Sequence, residues 1–114
     1  MNTFKSKYGN ALEIGHLIGG EEVFEGGVLE RRNPSDCEDL TARFPEASKE
    51  TVRRAAQAAR KAFEEWSRTP APVRGGVLMN FASVLTREKE TLSRLMVREI
   101  GKTLKEARGD VQEA

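Results

Sequence analysis

At Ser48 the spacing of apolar residues changes, and this limits what each half of the chain can fold into. Before it they come in short groups or in alternation: Leu12 and Ile14, Leu17-Ile18, Val23-Phe24, Val28-Leu29, then Leu40, Ala42 and Phe44. After it they recur at intervals of three and four residues. Period two suits a strand, whose side chains alternate between faces; period 3.6 lays side chains along one stripe of a helix. Six of the 10 glycines also precede Ser48. The expectation is therefore a strand-and-turn segment over 1–48 followed by a helical segment over 49–114, α/β in class.

In the first segment, the pairs Val23-Phe24 and Val28-Leu29 flank Glu25-Gly26-Gly27, which reads as strands joined by a hairpin. Asn33-Pro34-Ser35-Asp36 reads as a turn, because Pro pre-sets one φ and Asn and Asp bond their own backbone. Leu40, Ala42 and Phe44 form one apolar strand face, stopped at Pro45.

About four helices are expected in the second segment. Ser48 is a good N-cap, and Val52, Ala55, Ala56, Ala59, Phe63 and Trp66 share a face. Thr69-Pro70-Ala71-Pro72 ends that helix, and Pro72 suits the start of the next, which would bury Val77, Leu78, Phe81, Ala82 and Leu85. A third, with Leu92, Leu95, Met96 and Ile100, stops at Gly101, a left-handed C-cap. Thr103 and Glu106 have capping-box spacing and open a fourth, with Leu104, Ala107, Val111 and Ala114 on its face. That pattern is still in phase at Ala114, as in a chain cut inside a helix.

Charge follows the same division. Residues 1–48 carry 5 basic and 9 acidic groups, and residues 49–114 carry 14 and 9. Glu50 with Arg54 and Glu90 with Arg94 interleave at i,i+4, so the basic half reads as solvated helix faces and not as an RNA-binding surface. The overall charge of +1 gives no electrostatic case for nucleic acid. No apolar run nears the ~20 residues of a membrane span, and polar Met1–Asn10 has no signal-peptide core. A single cysteine excludes an internal disulfide and points to a cytoplasmic protein. Leu, Ile, Val and Phe make up only 25 of the 114 residues, so the core available to this chain is thin.

No catalytic constellation emerges from the residues themselves. Cys37 lies between Asp36 and Glu38, whose charges disfavour a thiolate nucleophile. His16 is a lone imidazole near a strand end. Phe63 and Trp66 read as core anchors. Gly101-Lys102-Thr103 resembles the end of a phosphate-binding loop, but Met96 stands where that loop needs its first glycine, and a helix precedes it where a strand is required. Gly15–Gly20 lacks dinucleotide-fingerprint spacing and leads into another strand, not a helix, so it reads as a turn.

The order of the motifs carries more. Ile18-Gly19-Gly20-Glu21, Asn33-Pro34-Ser35-Asp36, Phe44-Pro45-Glu46-Ala47-Ser48, Ala62-Phe63-Glu64-Glu65-Trp66 and Thr69-Pro70-Ala71-Pro72-Val73-Arg74 follow one another. Then come Glu99-Ile100-Gly101-Lys102 and Glu106-Ala107-Arg108-Gly109-Asp110-Val111. From about residue 10 onward the chain resembles the N-terminal part of NAD(P)-dependent aldehyde dehydrogenases, and most of all bacterial semialdehyde dehydrogenases such as the ketoglutarate semialdehyde type.

The resemblance implies short hairpin strands and helices that pack on a Rossmann-type sheet not encoded here, with 1–48 and 49–114 together forming part of one NAD-binding domain. It implies oxidation of a small aliphatic aldehyde or semialdehyde to the acid, with NAD or NADP, through a cysteine thioester, in a homodimer or homotetramer. The family's cysteine, glutamate, asparagine and dinucleotide-binding strands all lie beyond this sequence, and Cys37 does not match the nucleophile. No catalytic or cofactor residue is carried over, no cofactor is expected to bind this chain alone, and the isolated chain is expected to be inactive. Glu99 matches a position that in some members helps bind a structural monovalent cation, and the helix from Thr103 onward matches one that helps wall the substrate entrance, which would put Asp110–Ala114 near it. The alternative is a stand-alone helical module that binds itself or the full-length enzyme through Val52, Phe63, Trp66, Phe81 and Leu85.

Overall fold

A computed structural model describes residues 3–6 and 9–114, with side chains from Ala11 onward. The expectation made for Met1–Asn10 falls in part on residues outside that set. The elements are β1 (Thr3–Ser6), β2 (Gly9–Glu13), β3 (His16–Ile18), β4 (Glu21–Val23), β5 (Val28–Asn33), β6 (Asp36–Pro45), α1 (Lys49–Trp66), α2 (Ala71–Ile100) and α3 (Leu104–Glu113). They form two compact units: residues 1–32 with 38–68, and residues 33–37 with 69–114.

The first unit holds most of a four-stranded sheet ordered β1-β2-β6-β5 and the separate ribbon β3-β4. β1 runs antiparallel to β2, and β2 runs parallel to β6 with Leu12 opposite Ala42. Small side chains sit where these strands meet: Ala11 and Ala42 are buried. The Ile14 N–H extends the pairing by donating to the Arg43 carbonyl at 3.0 Å. The expected apolar face of β6 is only partly covered, with Ala42 buried and Leu40 and Phe44 half-buried. Its polar neighbours Asp39 and Thr41 lie deeper. Burial of Thr41 is tolerated because its hydroxyl donates to the Arg31 carbonyl at 2.9 Å.

The Gly19-Gly20 turn between short strands forms as expected, whereas the hairpin expected around Glu25–Gly27 does not. The hairpin that forms is β3-β4, turning at Gly19 (φ 62°) and Gly20 (φ 90°), two successive positive φ values that glycine adopts without penalty. Gly26-Gly27 instead lies against the residue after β6. The Glu46 N–H donates to the Gly27 carbonyl at 2.6 Å, and β4 and β5 belong to different sheets. β5 and β6 are joined at Pro34-Ser35, as expected. No described non-glycine residue has positive φ, so this turn uses the ordinary negative-φ conformation that Pro34 favours, with the Ser35 N–H held by Asn33 Oδ1 at 2.9 Å.

Helix α1 starts where its cap predicts: Ser48 Oγ accepts from the Thr51 N–H at 3.0 Å. Glu50 pairs with Arg53, one residue nearer than the expected Arg54, which instead reaches Glu25 at 2.7 Å.

In the second unit, the two helices expected over 72–100 are one. α2 runs for 30 residues, about 45 Å at 1.5 Å per residue. The polar stretch from Thr86 to Thr91 contains no Gly or Pro to break it. The hydroxyls along this region stay inside the helix: Ser83, Thr86 and Ser93 donate to the carbonyls of Met79, Ala82 and Lys89. The described residues thus form three helices where about four were expected. Gly101 ends α2 in the left-handed conformation at φ 78°, and Thr103 with Glu106 forms the complete capping box that opens α3. Ala107, Val111 and Ser93 are buried where α3 packs on α2.

One expectation fails across both units. Val52, Phe63 and Trp66 of α1, and Val77, Leu78 and Phe81 of α2, were expected in a core and are exposed, Leu78 by 69%. Ala82 is exposed and Leu85 half-buried. Within each unit the stripes find too little apolar surface to pack against, so burial settles on small and polar residues such as Thr51 and Ser93.

Candidate functional site

The residues with chemical potential are divided between the two units. Cys37 is exposed at the start of β6 and belongs to the second unit, whereas His16 on β3 belongs to the first. His16 is half-buried beside a groove of about 280 Å³ that it lines with Ala47, Thr51, Val52 and Ala55. Its Nε2 is enclosed and has no hydrogen-bond partner among the described residues. Among those residues no group of three or more His, Cys, Asp and Glu side chains is placed to hold a metal ion. Glu99, the expected cation ligand, is exposed in the last turn of α2.

The best-organised polar region is the end of α2 with α3. Arg108 forks onto Glu90, its Nε and Nη2 each 2.9 Å from a carboxylate oxygen, and Arg94 adds a second cation at 2.8 Å. These hydrogen bonds, the one from Arg108 foremost, hold the Glu90 carboxyl below its ordinary value of 4.5. Lys89 donates to Gln112 at 2.8 Å, and Lys102 pairs with Asp110. That pairing raises the Lys102 ammonium above 10.5. Hydrogen bonds from the Thr103 hydroxyl and backbone lower Glu106. Arg108–Glu90 and Lys89–Gln112 tie α3 to α2, Arg94 pairs within α2, Lys102 joins the connector to α3, and Thr103 with Glu106 caps α3. None leaves a base beside a nucleophile.

Beside this ionic face lies an open apolar groove of about 310 Å³, walled by Leu92, Leu95, Met96, Ile100 and Val111, with Glu99 and Asp110 at its edge. Its chemistry is that of a packing surface: apolar walls, with the Asp110 carboxylate at the edge engaged by Lys102.

One juxtaposition escaped the sequence. A Cβ on Gly101 would come within 2.9 Å of Pro34 Cγ. The Asn33–Asp36 turn therefore lies against the cap of α2, and two motifs more than sixty residues apart meet within one unit. The signal was present in their residue types, since both are backbone-constrained positions, but no local rule connects them. The Gly101-Lys102-Thr103 run is accounted for here as a helix stop, an ion-pair lysine and an N-cap.

Comparison with known proteins gives one consistent answer. The model of a family described as the aldehyde dehydrogenase family matches residues 24–114. Malonate-semialdehyde dehydrogenase 1 of Geobacillus kaustophilus (strain HTA426) is 43% identical over 99 residues, covering 85% of this chain and 20% of that protein. 1-Pyrroline-5-carboxylate dehydrogenase 2 of Bacillus subtilis (strain 168) is 41% identical over 98 residues, with 86% and 19% covered. A crystal structure of 1-pyrroline-5-carboxylate dehydrogenase from Thermus with bound NAD superposes with a TM-score of 0.87 at 32% identity, covering 90% of this chain and 20% of that one. An NAD-dependent aldehyde dehydrogenase from Sinorhizobium meliloti gives 0.85 at 29%, with 90% and 21% covered. The chain spans about one fifth of the length of the curated relatives it matches.

Proposed function

Since the chain belongs to the aldehyde dehydrogenase family, we propose that it is the N-terminal part of an oxidoreductase that converts a small aldehyde or semialdehyde to the acid with NAD or NADP. The observation that carries this reading is one of extent. A relative 43% identical over 99 residues is matched over only 20% of its own length. On this reading residues 1–48 and 49–114 both belong to one incomplete nucleotide-binding domain. The exposed stripes of α1 and α2 then supply packing for a sheet formed by further polypeptide.

Aldehyde oxidation through a thioester needs a cysteine thiolate to add to the carbonyl carbon and a base to activate water. The nicotinamide nucleotide supplies the hydride acceptor. We assign none of these roles to a residue of this chain. Cys37 is exposed, between the carboxylates of Asp36 and Glu38 that disfavour a thiolate. On this reading the 114 residues alone neither retain NAD(P) nor turn over aldehyde. Reading the coding DNA past the Ala114 codon tests the assignment: a continuing frame with a cysteine motif supports it, and a stop codon at that point contradicts it.

A second reading has its own observation. Val52, Phe63, Trp66 and Phe81 are all exposed, as an interaction module that binds itself or the full-length enzyme requires. Sedimentation velocity separates the two, since a concentration-independent monomer sinks self-association.

A further inference from the structure

We draw no further inference here: the strongest candidate, the exposed apolar stripe of Val73, Val77, Phe81 and Val84 along the first half of α2, carries nothing, because no feature of the structure shows what covers it.

Discussion

Gly26 is the most constrained backbone position described. It holds φ at 116°, and a Cβ there would sit 2.3 Å from the Glu46 carbonyl oxygen. Gly20 also has a positive φ, 90°, but a Cβ there would meet nothing within 4 Å. The two separate conformational strain from steric collision. Gly20→Ala should cost about 1 kcal/mol, the strain of a left-handed L-residue alone. Gly26→Ala should cost more than roughly 3 kcal/mol, because strain of that order is joined by a clash that only backbone movement can relieve. Urea denaturation followed by far-ultraviolet circular dichroism measures both, and equal losses would contradict the packing of Gly26 on Glu46. The sequence identified glycines as turn residues. It could not rank them, because the partner of Gly26 lies twenty residues away.

Helix ends were the most legible elements. Ser48, Gly101, and Thr103 with Glu106 act where their side chains or missing side chain predict, because capping is decided within four residues. Strand partners were the least legible. The parallel pairing of Leu12 with Ala42 joins segments thirty residues apart, and nothing in either segment names the other. The merger of two expected helices into α2 has the same origin. A polar stretch interrupts an apolar stripe without interrupting a helix, since the backbone bonds continue through it.

The docking of α3 on α2 makes a prediction about pH. Arg108 and Arg94 lower the folded-state pKa of Glu90 below 4.5. Its stabilising contribution is therefore complete above the unfolded value and lost as pH falls through the folded one. The gap in urea midpoint between the wild type and Glu90→Gln should be present at pH 7 and close by pH 3. A gap that is unchanged between those two values would show that the ion pairs do not hold α3. The Glu90 side chain is half exposed, so the gap should also narrow at high salt.

At the scale of the whole molecule, the exposed surface decides how the chain is understood. Val52, Phe63 and Trp66 of α1 lie exposed in one unit, and Val77, Leu78 and Phe81 of α2 lie exposed in the other. The sequence showed apolar stripes at helical spacing but could not show that they stay uncovered, because periodicity gives a face and not its partner. It also gave the family through the order of its motifs, while the chemistry of that family has no assigned residue in these 114 positions.

The measurement that bears most directly on this account is turnover by the purified 114-residue protein. Incubated with NAD, with NADP and with a panel of aldehydes and semialdehydes, it should produce no absorbance at 340 nm above a no-protein control. Sustained reduced nicotinamide formation that scales with protein concentration, and is lost in a Cys37→Ser variant, would contradict the claim that these residues carry packing surface and not the reacting groups.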